Sequence, residues 1–452
     1  MIQRLDKTSP FLWYNLFRWY IVKDVLINSF IRISSIPRMS GNEKRISDFF
    51  VSIAKNNNLE FYQDENYNVL IKKKGNINGE PIAFQAHLDM VCVKKADSNH
   101  DFNVDGIDVI IDGDEVTAKD TSLGADQGVG LALMLTLIED NSIKHPDLEF
   151  LFTTEEETTF KGAITFPYDK VASRKMINLD YCMDNAIVIG SAGDIVNEYT
   201  YEGNLSKKDL KSYKLSIKGL KGGNSGENIE ASENNAIITL VKELLNKNVF
   251  LRSINGGTYE NDIATDCDIE LETEIDLLNE FNNSNIKVEQ IEGGESFSTS
   301  DTKNILNQIL ELKSGYISKM ASGNLGMIRT NKNKVAITYL FRTTSEAEFN
   351  NFTSNNNNNF KVAELYRDRI WNLDKDSFMF KKYKEVYKNM FNENPLEITA
   401  QGGLEIASIQ KRISGLDIIS IGANMENIHT VNEITHISSW EKLYNIIINM
   451  LK

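Results

Sequence analysis

The chain has 452 residues, 41% hydrophobic and 25% charged, a soluble globular composition with apolar content for two or three domains. A formal net charge of −15 argues against nucleic acid or an anionic membrane as the main partner and suits cations instead. Cys92, Cys182 and Cys267 lie far apart with no CxxC pair, which excludes a disulfide framework and a thiolate zinc cage and fits a reducing cytoplasm.

The apolar run PFLWYNLFRWYIV at residues 10–22 is too short for a membrane span, is interrupted by Asn15 and Arg18, and lacks a cleavage site. It reads as an amphipathic helix packed on the body, with a membrane-surface anchor as the alternative. Ser40 and Glu43 have the spacing of a capping box ahead of KRISDFFVSIAKN, whose apolar residues recur at helical intervals. Strands are expected at NVLIKKKG and PIAFQAHLDMV, and a hairpin in IDVIIDGDEVTAKD turning at Asp112-Gly113. SLGADQGVGLALMLTLIED is a glycine-rich turn leading into a long apolar helix, and LEFLFTTEEE and KMINLDY are two further short apolar runs. Strands alternating with helices in this way point to an α/β sheet.

From about residue 190 to about 390 the texture changes. Alternating strand patterns (KSYKLSIKGL, DCDIELETEIDLL, KVAITYLFRTT) enclose helical segments (ENNAIITLVKELLNKN, TKNILNQILELKSG), an α+β order on one antiparallel sheet. The run Asn355 to Asn359 marks a solvated loop. The last stretch, DIISIGANMENIHTVNEITHISSWEKLYNIIINMLK, returns to a buried strand, a loop and a closing helix. The expected layout is therefore a catalytic domain at residues 1–187 and 395–452, with a domain at 188–394 inserted in it. No internal repeat is visible.

Three apolar runs end in groups that can ligate metal: His87, Glu156 with Glu157, and Asp180. Asp126 stands in the turn LGADQG, and His429 in a loop just after DIISIG. Sites in open α/β sheets form beyond the carboxyl ends of the strands, so these groups have a common edge at which to meet. Imidazole and carboxylate without thiolate favour Zn, Mn or Co. Asp89, two residues after His87 and on the same face of the strand, is placed to orient it. Taken singly, each has an ordinary explanation: a solvated EEE turn, a helix-capping Asp126, a loop histidine at 429, a strand-end acid at 180. Five such coincidences at strand ends do not. His100, His145 and His436 lack this context and are read as structural.

AHLDMV, TSLGADQGVG, LFTTEEETTFKGA, MINLDY and SIGANMENIHTVNE together resemble the co-catalytic metallopeptidases that include aminoacylase, carnosinase and carboxypeptidase G. Within them the chain is most similar to the aminoacyl-histidine (Xaa-His) dipeptidases, also called peptidase D. The likeness extends to IPRMSGNEKRISDFF, HDFNVDG, GLKGGNSG and INGGTYENDIA. It implies a mixed-sheet catalytic domain of zinc-exopeptidase type with an inserted α+β lid and dimerisation domain. It also implies two divalent ions, Zn2+ ahead of Mn2+ or Co2+. Asp126 would bridge them, with His87 and Asp180 on one and Glu157 and His429 on the other. Asp89 and Glu156 would be the catalytic carboxylates, Asp89 orienting His87 and Glu156 serving as general base toward a metal-bridged water. Asn224 and Glu405 would face the substrate. Arg342, in FRTT of the lid, is read separately as a candidate for gripping a substrate carboxylate, with a surface or structural arginine as the alternative.

Two departures touch the substrate-facing set. The family's GGHSG reads Gly222-Gly223-Asn224-Ser225-Gly226, and its HAGLE reads Gln401-Gly402-Gly403-Leu404-Glu405. Each loses a histidine, while every metal ligand implied by the resemblance is present. The expectation is a cytoplasmic, homodimeric metallo-dipeptidase acting on short peptides of Xaa-His type. It would have no nucleic-acid partner and no stable membrane insertion, and its lid would close to exclude water. The alternatives are an N-acyl amino acid hydrolase or aminopeptidase of the same superfamily, and a catalytically degenerate, metal-retaining peptide-binding protein.

Overall fold

The computed structural model describes residues 10–226, 228–278, 280–281, 285–352 and 359–452, with side chains in the first helix from Val22 onward. They form two compact units. One comprises the residues up to Ile189 with Asn372–Ile398 and Glu405–Lys452; the other comprises Gly190–Trp371 with Thr399–Leu404.

The first unit is built on a mixed sheet ordered Glu60–Gln63, Val69–Lys73, Leu148–Thr153, Ile82–His87, Lys175–Asn178, Asp417–Ser420, Ala186–Ser191. The four strands from Leu148–Thr153 to Asp417–Ser420 run parallel, and their neighbours on both sides are antiparallel. Ile82–His87 and Leu148–Thr153 are buried at every position, as expected of parallel strands covered on both faces. The registers His87↔Thr153, Gln85↔Asn178 and Asn178↔Ser420 bring the four parallel strands to a common carboxyl edge.

Helix Ala125–Glu139 is apolar all round and almost wholly buried, so it must be covered by other helices as well as by the sheet. Helices Pro10–Ser34 and Ile437–Met450 pack beside it, and the Phe30 and Trp440 rings lie 4.8 Å apart. The carbonyls at its end would otherwise be unpaired. Buried Lys73 donates Nζ to Leu137 O at 2.8 Å, Ile138 O at 3.0 Å and Asp140 O at 2.7 Å, placing a cation where the helix dipole favours one.

Several expectations change here. Residues 10–22 do fall in a helix, Pro10–Ser34, whose Leu26, Phe30 and Ile33 are buried. The packing of side chains 10–21 lies outside the described residues. No helix among the described residues is long and apolar enough to cross a membrane. The capping box does not form. Helix Lys44–Asn56 starts after Glu43 with no side-chain cap, because Ser40 Oγ donates to Asp89 Oδ2 at 2.8 Å instead. Glu43 Oε1 meanwhile accepts from Gly41 N and from Glu155 N. The hairpin turns one residue later than expected, at Gly113-Asp114, since Asp112 pairs with Glu115 and Gly113 takes φ +65°. The first unit resumes at Asn372 rather than 395, because helix Phe378–Phe391 packs on strand Asp417–Ser420 and helix Ile437–Met450, burying Met379, Phe380, Tyr383 and Tyr387. The Asn355–Asn359 run lies outside the described residues except for Asn359.

The second unit is built on an antiparallel sheet ordered Lys287–Ile291, Lys211–Ile217, Cys267–Thr273, Val249–Gly256, Ala321–Asn331, Lys334–Thr343, Gly193–Glu202, Lys361–Arg367, with a separate pair of short strands at Leu205–Lys207 and Glu295–Phe297. Helices Ala236–Leu244 and Thr299–Glu311 pack against each other and on the sheet. Their Leu240, Val241, Ile305 and Ile309 join Leu215, Leu251, Ile269 and Ile337 in the core.

Candidate metal centre

The carboxyl edge of the parallel strands gathers the side chains singled out in the sequence. His87 ends its strand and is 1% exposed. Its Nδ1 lies 3.2 Å from Asp89 O and 3.5 Å from Asp89 Oδ1. A proton on Nδ1 shared with Asp89 leaves Nε2 as the ligating atom. That Nε2 is 3.2 Å from Asp126 Oδ1 and 3.8 Å from Asp180 Oδ1.

Asp126 faces two ways. Its Oδ1 meets His87, while its Oδ2 is 3.4 Å from His429 Nε2. His429 Nε2 is in turn 3.2 Å from Glu157 Oε1. Two sets of donor atoms therefore share Asp126: His87, Asp126 and Asp180 in one, Asp126, Glu157 and His429 in the other, each within 4.8 Å. A third set of that size, His87, Glu156 and Glu157, contains Glu156. Glu155 points elsewhere, paired with Lys161 at 2.9 Å.

The turn bearing these glutamates hangs from Asp89. Its Oδ1 accepts from Glu156 N and its Oδ2 from Glu157 N, each at 3.1 Å. One buried carboxylate thus orients His87 and fixes the backbone of two further site residues. Glu155 and His429 both take left-handed φ, +53° and +63°. Such conformations cost about 1–3 kcal/mol each and persist where the surroundings hold them.

The electrostatics follow from how closely the carboxylates are packed. Burial raises the Glu156 carboxyl well above its usual range; the charge of His87 opposes the rise, and Asp180 and Glu157 add to it. Burial followed by the charge of Asp126 does the same to Asp180. For His429, burial works downward, but Glu157 and Asp126 carry it up to about 12. His87 behaves likewise: burial opposes, yet hydrogen bonds from Asp126 and Asp89 raise it well above the usual value. Crowded carboxylates thus surround both imidazoles. Divalent cations would offset the same repulsion, and the donor set of imidazole nitrogens and carboxylate oxygens suits them.

The three residues expected at the substrate behave differently. Glu405 is 0% exposed, and its Oε2 accepts from Gln85 Nε2 at 2.6 Å and Thr153 Oγ1 at 2.8 Å. Burial raises its carboxyl to about 7. Arg342 does not stand free for a substrate carboxylate. Its Nε donates to Asp194 Oδ1 at 3.0 Å and its Nη1 to Ser225 Oγ at 2.8 Å. Asn224 accepts from Gly226 N through Oδ1 at 2.7 Å, which fixes the GGNSG turn around it. Arg342, Ser225 and Asn224 all belong to the second unit.

Fold and cluster together define a class: α/β enzymes whose histidine and carboxylate ligands gather at the carboxyl edge of a mixed sheet interrupted by an inserted unit. The model of peptidase family M20/M25/M40 matches residues 83–452. The chain belongs to that family. It is 29% identical to the cytosol non-specific dipeptidase of Escherichia coli K12, over 94% of this chain and 96% of that protein. The crystal structure of aminoacylhistidine dipeptidase from Vibrio alginolyticus shares the fold, with TM-score 0.70 and 24% identity over 94% of this chain and 96% of that one. Human carnosine dipeptidase 1 shares it more distantly, with TM-score 0.56 and 11% identity over 98% of both chains.

Proposed function

We propose that this peptidase is a metal-dependent dipeptidase acting on short peptides with a free N-terminus, Xaa-His dipeptides among them. The observation that carries the reading is Asp126, one carboxylate with an oxygen toward each of two histidines. In this reading His87, Asp126 and Asp180 hold one divalent ion, and Asp126, Glu157 and His429 hold the other, with zinc the first choice for an N/O site. When bound, the ions supply Lewis acidity to a water and to the peptide carbonyl.

The rest of the chemistry falls to the chain. Glu156 takes the proton of the attacking water on a carboxylate oxygen and returns it to the leaving amine. Asp89 keeps the His87 ring and the Glu156–Glu157 backbone in place. Asn224 donates an N–H to the substrate, and Arg342 positions the turn that carries Asn224. Cytoplasmic location and a homodimer associating through the inserted unit belong to the same proposal. The cytosolic E. coli relative supports the first of these.

A panel of β-Ala-His, Gly-His, Leu-Leu and Cys-Gly, assayed after loading with Zn2+, Mn2+ or Co2+, tests the reading. Turnover that chelation removes is expected. Hydrolysis of N-acyl amino acids or tripeptides alone would move the chain to another activity of its family. Two bound ions with no turnover would favour the degenerate peptide-binding reading, which the Asn224 and Gln401 positions support and the presence of Asp89 and Glu156 opposes. Asn224→His, which adds the positive charge the amide lacks, is expected to raise kcat/KM on the preferred dipeptide by up to about 10²-fold. No gain on any dipeptide would count against a simple lost-donor account of this position.

A further inference from the structure

Two buried charged side chains beside the cluster, Arg38 and Glu433, have no part in the mechanism. Arg38 is 2% exposed and Glu433 3%. Both close on the turn Leu123 to Asp126 from which the shared carboxylate projects. The Oε2 of Glu433 accepts from Leu123 N at 2.8 Å and Gly124 N at 2.9 Å, while its Oε1 accepts from Ala125 N at 2.8 Å and Asp126 N at 3.4 Å. Four successive amides thus converge on one carboxylate, a concave anion nest at the start of a helix. Arg38 works from the carbonyl side. Its Nη2 donates to Gly124 O, and its Nη1 donates to Leu88 O at 3.2 Å and Asp89 O at 2.6 Å.

The fit leaves little slack. Gly124 takes φ +66°, and a Cβ there would lie 2.6 Å from Arg38 Nη2 and 2.7 Å from Met90 Sδ. Asp126 and Gln127 depart from helical geometry at the head of helix Ala125–Glu139, so the helix itself does not dictate where the Asp126 carboxylate points. The two clamping residues also come from the right places. Arg38 ties the turn to the segment of His87 and Asp89, and Glu433 stands four residues after His429 in the same loop.

We propose that Arg38 and Glu433 are positioning residues that set Asp126 between His87 and His429 and so tune the affinity of the paired metal sites, without touching metal or substrate. The proposal rests on the two-ion reading given above. A neutral amide at 433 would turn N–H groups toward backbone N–H groups, and lysine at 38 cannot reach both sets of carbonyls through one planar fork.

The test compares wild type with Glu433→Gln and Arg38→Lys. The readouts are bound Zn2+ per chain, affinity by chelator competition, the visible spectrum of the Co2+ form, and the melting temperature of the metal-free proteins. The expected result is two ions in wild type, with binding about 10–100-fold weaker in each variant and a changed Co2+ spectrum. Unchanged affinity and spectrum in a variant whose metal-free melting temperature has fallen would overturn the clamp and leave a purely structural role. Fewer than two ions in wild type would instead overturn the two-ion reading, and the clamp with it. Arg38→Lys is read independently, so a Glu433→Gln chain that does not fold still leaves the clamp open to refutation.

Discussion

Asp126→Ala is expected to reduce bound metal from two ions to one at most and to lower dipeptide turnover by about 10⁴-fold or more. General acid–base chemistry alone contributes about 10²–10⁴, and here the Lewis-acid contribution goes too. The effect is large because Asp126 belongs to both candidate ligand sets, one oxygen 3.2 Å from His87 and the other 3.4 Å from His429. The fold itself is expected to survive. Glu433 holds the turn through its backbone amides, which the substitution keeps. Elemental analysis, turnover and circular dichroism on one preparation check all three statements. Two tightly held ions in the variant would remove Asp126 from its shared position.

Glu156→Gln is expected to behave in the opposite way toward metal. kcat should fall by about 10²–10⁴-fold while KM changes little and both ions stay bound, because a base is lost and a ligand is not. The neighbouring glutamate sharpens the contrast. Glu157 Oε1 is 3.2 Å from His429, and Glu157→Gln should lose an ion where Glu156→Gln does not. Metal content measured beside kcat separates the two residues. Loss of an ion from Glu156→Gln would make Glu156 a ligand and send the search for the base elsewhere.

The parallel strands and their ligand-bearing ends were legible because each buried strand is an unbroken apolar run stopped by a polar group. His87 and Asp180 could be found that way, and Glu156 with Glu157. Arg38 and Glu433 could not. Their partners are backbone carbonyls and amides distant in sequence, and backbone leaves no residue signature. The only trace of Glu433 was its place four residues beyond His429 in IHTVNE. Ser40 and Glu43 misled for a related reason: both match a local cap, and both are drawn off by Asp89 and Glu155. The burial of Glu405 and the pairing of Arg342 with Asp194 could not be read from the sequence, because both depend on residues distant along the chain.

The strand Asp417–Ser420 sits between Lys175–Asn178 and Ala186–Ser191 in the sheet. A chain emerging from the ribosome therefore makes both neighbours of this strand long before the strand itself. The early segment holds four of the five candidate ligands but also an open slot, with backbone donors and acceptors bare on either side. The slot is filled only after the whole inserted unit has been made, and the same late segment brings His429 and Glu433. Vectorial synthesis thus orders the assembly: the sheet closes and the second ligand set is completed in one late event. If His429 ligates as proposed, a nascent chain holds only part of the two-ion centre until its last segment has been made.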